Sequence, residues 1–294
     1  MANLKDIRAQ IESTKNTQQI TKAMKLVSAA KLRKAQNAIV NLRPYALSLR
    51  TVIADIAVTQ KVSHPLMEPK AVVKNLLMVV FSSDRGLCGS FNANINKFTA
   101  QFLTENQTKY EKIDFIFVGR KANDFFVRRG VKPIDFMTRL DKEISYELAA
   151  SMSERVMRDY VEGNYDEVRV VYNEFRSAIA QVVNCETILP VNVELSSFNQ
   201  KEAEGAGFSR DMIFEPDPRK IIEELLAKHF DLQFYRCMAE SVASEHGARM
   251  SAMENATNNA GQMISSLTLT YNKLRQEKIT TELTEIVSGA EALK

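Results

Sequence analysis

The chain has 294 residues, 45% of them hydrophobic, with no tryptophan, three cysteines and a net charge of +3. That apolar fraction supports a sizeable core and excludes wholesale disorder, and the near balance of charge excludes a polyelectrolyte. The longest apolar run, Leu76 to Phe81, is far short of the roughly 20 residues that a membrane-spanning helix needs.

Taken in chain order, the pattern starts with a long helix from Asn3 to about Val58, containing no glycine and one proline, Pro44, a candidate kink. Apolar residues repeat along it at helical spacing: Leu4, Ile7 and Ile11, then Ile20, Met24 and Val27, then Ile39, Leu42, Ala46, Leu49, Ile53 and Ile56. The next region changes period. Leu76–Phe81 reads as a buried parallel strand, Ser82–Phe91 as a turn, and Asn92–Leu103 as a helix. Ile113–Val118 is a second strand and Lys121–Arg129 a short helix ending at Gly130. Glu143–Val161 is a third helix, and Val168–Tyr172 and Ala180–Val193 are two further strands. Such strand–helix alternation predicts an open, Rossmann-like α/β sheet. Ser196–Asp217 has loop composition.

No proline follows Pro218, so a second long helix is predicted from Arg219 to Ser288, with Gly289 as its stop. Met250, Met253, Thr257, Ala260, Ile264, Leu267, Tyr271 and Leu274 alternate spacings of three and four, a heptad seam, which slips at Ile279 and resumes through Leu283, Ile286 and Ala290. At 1.5 Å per residue the two helices reach ~80 and ~105 Å, whereas a compact globule of this length has a radius of gyration of ~19 Å. The predicted fold is therefore mixed: a long antiparallel coiled coil of N- and C-terminal helices with an inserted Rossmann-like α/β domain, hence an elongated molecule. The boundaries are residues 1–60, 61–195, a loop at 196–218, and 219–294.

Charge is unevenly distributed. Residues 1–60 carry ten Lys/Arg against three Asp/Glu, and no acid stands between Glu12 and Asp55. Such a stretch fits nucleic acid, an anionic membrane surface, an acidic protein loop, or simply a solvated helix face.

Chemistry is hard to find. The turn after the first strand holds Gly86 and Gly89 but matches neither the dinucleotide nor the P-loop pattern, so its glycines are read as closing a tight turn. Cys88 in that turn has no histidine nearby, since His64, His229 and His246 all lie outside the strand region, and it reads as a packed small residue. Neither H-E-x-x-H nor C-x-x-C occurs, and the histidines of the last helix read as surface or seam residues. Met24, Met250 and Met253 read as seam or partner contacts rather than ligands. No catalytic residues, cofactor or metal are expected. Three widely spaced cysteines argue against a disulfide framework and for a reducing compartment. The N-terminus lacks an apolar segment and is not expected to be a secretory signal.

Three blocks carry a resemblance: Ser13-Thr-Lys-Asn-Thr-Gln-Gln-Ile-Thr-Lys-Ala-Met-Lys25 with Ala30-Lys-Leu-Arg33, Ser83-Asp-Arg-Gly-Leu-Cys-Gly-Ser-Phe-Asn92, and Met250 through Ala290, with Phe214-Glu-Pro-Asp-Pro218 between the last two. In order and over the whole chain they closely resemble the γ-subunit family of F-type ATP synthases. The resemblance implies a central rotary shaft, coupling ion-driven rotation of the membrane c ring to ATP synthesis or hydrolysis in the hexamer of α and β subunits, with the ε subunit at its foot. It implies that nucleotide sites belong to the hexamer. By resemblance, Met24, Lys25, Arg275, Gln276 and Thr280 contact the hexamer and Glu215 lies in the foot near the c ring. Lys278 departs from the small residue often found there. The cysteine pair of chloroplast relatives has no counterpart in residues 196–218, so thiol switching is not expected. With no Arg-rich presequence, a bacterial protein peripheral to the cytoplasmic side of the inner membrane is expected. Two rival readings are a basic coiled-coil nucleic-acid binder or scaffold, disfavoured because Tyr45 is the sole aromatic of residues 1–60, and a nucleotide-dependent enzyme.

Overall fold

The computed structural model describes residues 4–60, 64–70, 72–138, 145–178, 180–191 and 217–292. Its elements are α1 (Leu4–Gln60), β1 (Asn75–Phe81), α2 (Phe91–Asn106), β2 (Lys112–Val118), α3 (Arg120–Val127), β3 (Asp135–Met137), α4 (Tyr146–Val161), β4 (Glu167–Phe175), β5 (Gln181–Leu189) and α5 (Pro218–Ala292). Of the expected loop at 196–218, residues 196–216, with Glu215, lie outside the described residues, as do Glu143 and Ile144 of the third predicted helix, and Pro218 already begins the last helix. The chain divides into two compact units: residues 1–28 with 249–294, and residues 29–248.

The larger unit is built on a five-stranded sheet of order β3-β2-β1-β4-β5. β1 pairs in parallel with both β2 and β4, β2 pairs in parallel with β3, and β5 runs antiparallel to β4. Leu76 to Phe81 are all 0% exposed, which explains why the central strand is an unbroken apolar run. Phe115, Phe117 and Phe126 stack over one face with centroids 5.2–6.0 Å apart. The carboxylate of Asp166 accepts hydrogen bonds from the backbone N–H of Lys74 (2.9 Å) and Asn75 (2.8 Å) and from Lys70 Nζ (3.0 Å), pinning the start of β1.

β3 has no counterpart among the predicted strands. It is three residues long, sits at the sheet edge and is partly exposed, so it gives no periodic signal.

The α5 segment of this unit covers the sheet. Arg236 pairs with Glu186 and donates to Tyr172 OH at 3.0 Å and Glu240 at 3.3 Å; Ser244 Oγ donates to the carbonyl of Asn173 at 2.9 Å. His229 and His246, expected at the surface or in the seam, are instead buried in this unit, at 8% and 4% exposure. In the α1 segment, Leu49, Ile53 and Ile56 are buried and Ile39, Leu42 and Ala46 half-buried, as their spacing predicts.

The smaller unit is two-helical and antiparallel. Thr14 Oγ1 lies 4.0 Å from Met263 Sδ, Gln18 Nε2 donates to the Thr257 carbonyl at 3.3 Å, the hydroxyls of Thr21 and Thr257 are 2.8 Å apart, and Lys25 Nζ lies 2.7 Å from Glu254. One index rises as the other falls. All eight predicted α5 seam positions from Met250 to Leu274 are buried or half-buried.

Two expectations fail. Ile20 and Val27 are 60% and 58% exposed; the inward positions of α1 are Leu4, Ile7, Ile11, Thr14, Gln18, Thr21 and Ser28, with Met24 and Lys25 half-buried. Thr, Gln and Ser take the inward places because their polar atoms find partners on α5 or on their own helix, as in the pair Thr21–Thr257 and the bond from Thr14 Oγ1 to the Gln10 carbonyl (2.8 Å). Gly289 does not stop α5, which continues to Ala292. An exposed glycine in a helix costs only about 1 kcal/mol relative to alanine, too little to end it alone.

Candidate subunit interface

The α/β domain is the natural place to seek chemistry, and the turns at its strand ends are closely packed. Parallel sheets bind ligands outside the strand ends where the order reverses. Here that point lies between β1 and β4. The loop after β1 closes on the start of α3: Arg120 N–H donates to Asp84 Oδ1 (3.0 Å), Lys121 N–H to the Ser83 carbonyl (3.0 Å) and Ala122 N–H to Ser82 Oγ (3.0 Å). Those N–H groups are the ones a helix would offer to a phosphate. Gly119 (φ +106°) makes the approach possible, because a Cβ there would lie 2.1 Å from the Ser82 carbonyl oxygen. On the other side, Gly247 of α5 sits against Phe175 and Ala178 at the end of β4, where a Cβ would be 3.2 Å from the Phe175 ring.

The turn itself is a packed structural element. Cys88 is 1% exposed, and Asn92 Nδ2 donates to its sulfur (3.1 Å) and to Ser83 Oγ (2.7 Å). Of the two glycines expected to close the turn, Gly89 takes a left-handed conformation (φ +56°), while Gly86 does not; Leu87 does so instead (φ +62°). Cys237 is wholly buried, and burial pushes its thiol up to about 12. Cys185 is also pushed up, chiefly by burial. Neither is poised as a nucleophile, because the thiolate is the reactive form. Among the described residues no cluster of three or more His, Cys, Asp or Glu side chains is placed to hold a metal.

The two-helix unit is where the predicted contact residues lie. Along the shared seam, Lys25 and Glu254 bridge the rim of a groove of about 340 Å³ that Gln19, Lys22 and Asn258 also line. Met24 is half-buried beside it. The spacing of the cross-helix contacts places Leu4, the first described residue of α1, opposite Leu274. Leu274 is also the last residue of α5 with any burial: every residue from Arg275 to Ala290 is exposed. Arg275, Gln276 and Thr280 stand in that stretch, and the Thr280 hydroxyl donates back to the Gln276 carbonyl at 2.9 Å. Lys278 pairs with Glu282 at 3.7 Å. Ile279, Leu283, Ile286 and Val287 are 49%, 58%, 68% and 60% exposed. The structure thus brings Met24 and Lys25 to one level of the seam, and Arg275, Gln276 and Thr280 together on the uncovered stretch. Glu254 was not legible as the partner of Lys25, because nothing local marks a pairing across 229 positions.

Among the described residues no helix is long and apolar enough to cross a membrane. A family profile described as ATP synthase matches residues 3–293. An ATP synthase gamma chain of Bdellovibrio bacteriovorus is 71% identical over 294 residues, covering all of both chains, and one of Anaeromyxobacter sp. is 46% identical over the whole of both. Among solved structures, a chain of the Tetrahymena thermophila mitochondrial ATP synthase central stalk and c ring superposes with a TM-score of 0.61 at 26% identity, covering 81% of this chain and 99% of that one. A chain of the Euglena gracilis mitochondrial ATP synthase rotor does so with a TM-score of 0.62 at 25% identity, covering 94% and 98%. With the family profile spanning almost every residue and the relatives matched end to end, the chain belongs to the ATP synthase gamma chain family, a non-catalytic subunit of the central stalk, or rotor, of the F-type enzyme.

Proposed function

We propose that this chain, as part of the ATP synthase complex together with F1 and the c ring, is the asymmetric shaft that carries rotation between an ion-driven c ring and the catalytic sites of an α/β hexamer. The observation that supports the reading is the uncovered end of α5, where Ile279, Leu283, Ile286 and Val287 are exposed among the described residues. A contiguous exposed apolar set on an otherwise well-packed protein fits a surface that another subunit covers. The two helices are unlike in sequence, so the pair has no threefold symmetry and meets each of three equivalent β subunits with a different face. Driving one site from 1:99 to 99:1 between two states takes ~5.5 kcal/mol of differential interaction. A few ion pairs and apolar contacts that form at one angle and break at another can supply that.

Within this reading Met24, Arg275, Gln276 and Thr280 touch the hexamer, the basic face of α1 meets acidic loops of the β subunits, and Glu215 belongs to the foot beside the c ring and ε. Lys25 belongs to the same set, and its ammonium also pairs with Glu254 while its side chain stays 35% exposed. The subunit works peripherally, at the cytoplasmic side of the inner membrane.

The test is reconstitution with purified α and β subunits. Because Cys88 and Cys237 are buried and Cys185 is half-buried, the probe goes on an introduced cysteine, Lys132→Cys, at an exposed position of the α/β domain. ATP-driven turning of the probe is expected, and Arg275→Glu is expected to lower torque. A stable, fully ATPase-active complex whose probe never turns would sink the shaft reading. Failure to form any complex would redirect attention to salt-dependent DNA binding.

A further inference from the structure

The seam of the two-helix unit has two halves of different chemistry. Leu4, Ile7 and Ile11 of α1 face the apolar stretch Ile264, Leu267, Tyr271 and Leu274 of α5. Farther along, the inward residues of α1 are mostly polar: Thr14, Gln18, Thr21 and Ser28, with Met24 and Lys25 half-buried. An apolar heptad seam is nearly self-similar, so it tolerates sliding by one heptad, ~10.5 Å at 1.5 Å per residue. Polar residues at seam positions are what fix register in such pairs.

The charges here favour one register. Between Met250 and Glu277 the only acid in α5 is Glu254, and between Glu12 and Asp55 α1 carries no acid at all. In the observed register Glu254 meets Lys25 at 2.7 Å, and one turn away the Thr21 and Thr257 hydroxyls meet at 2.8 Å. Slid by one heptad either way, Glu254 would face Gln18 or Leu32 instead. The pair is half-exposed, at 35% and 48% of its side chains, so it adds little to stability. Its effect is on which alignment wins.

We propose that Lys25 and Glu254 are positioning residues that, with Thr21 and Thr257, lock the register of α1 against α5 and so set how far the uncovered end of α5 projects past α1. Lys25 thus has a role inside the stalk besides any contact with the hexamer. The consequence for rotation rests on the shaft reading; the register itself does not.

The experiment replaces the three native cysteines with alanine and introduces Thr21→Cys with Thr257→Cys as a reporter of native register. This removes the hydroxyl pair and leaves the ion pair as the contact under test. A second reporter, Thr14→Cys with Thr257→Cys, reads a one-heptad slip. Oxidation is followed in the full chain and in its complex with α and β subunits. Lys25→Glu or Glu254→Lys alone should lower the native cross-linking rate about fivefold, the reach of an exposed ion pair, and raise the slipped one. The double reversal Lys25→Glu with Glu254→Lys should restore both, and with them the torque of the complex. Unchanged cross-linking in the single reversals would overturn the proposal. So would a double reversal that fails to rescue, which would leave Lys25 as a hexamer contact alone. Altered cross-linking with unaltered torque would support the register lock and count against the shaft reading.

Discussion

Asp166 shows how one carboxylate can hold the start of a sheet. Burial pushes its carboxyl up, but hydrogen bonds from the Asn75 N–H, the Lys70 ammonium and the Lys74 N–H outweigh that and hold it below the usual carboxylate range. Its folded value lies below its unfolded one, so its contribution is full above about pH 4 and is lost as pH falls through the folded value. Asp166→Asn should cost about 1–3 kcal/mol in urea unfolding at pH 7, with the gap to the wild type closing as the pH falls below about 4. Cys237 has the opposite sign. Its thiol, pushed up to about 12 by burial, stays protonated while the unfolded thiol ionises near 9, so stability declines as pH rises from about 9 toward 12. Iodoacetamide at pH 8.5 should label Cys237 only in urea; labelling of the folded chain would contradict its placement in the core. Neither behaviour is written in the sequence. Cys237 sits in a helix like any other small apolar residue, and the three donors that grip Asp166 come from Lys70, Lys74 and Asn75, more than ninety positions away.

At the level of elements, α3 depends on a backbone that only glycine allows. Gly119→Ala combines a left-handed backbone with a 2.1 Å clash against the Ser82 carbonyl oxygen. About 3 kcal/mol or more should be lost in equilibrium unfolding, and amide exchange should accelerate first in the opening turn of α3. The central strand and α5 were legible because their burial is written in apolar residues: six consecutive ones in β1, and seven of the eight seam positions of α5. The seam of α1 was misread for the converse reason. Hydropathy points to Ile20 and Val27, yet Thr21 and Ser28, one position further along in each case, turn inward. A hydroxyl is welcome in a seam when another hydroxyl waits across it, and that is a property of the pair. The candidate interface was legible only as a likeness to a family. Arg275, Gln276 and Thr280 make no pattern that composition or periodicity would select, because among the described residues no other element packs against them.

For the molecule as a whole, residues 275–290 pack against nothing among the described residues. Deleting residues 276–294 should therefore shift the melting midpoint by less than about 2 °C, while weakening association with α and β subunits and lowering torque. A large drop in melting temperature would mean that those residues pack within the chain after all. The same nakedness bears on how the cell counts its subunits. A copy without a hexamer holds out a long solvated helix studded with isoleucine, leucine and valine, the kind of segment that chaperones grip and proteases trim from its free end. Seated in a hexamer, the same helix would be out of reach. On the proposed function, unassembled copies would expose this stretch and assembled ones would not, so exposure itself would tell the two apart.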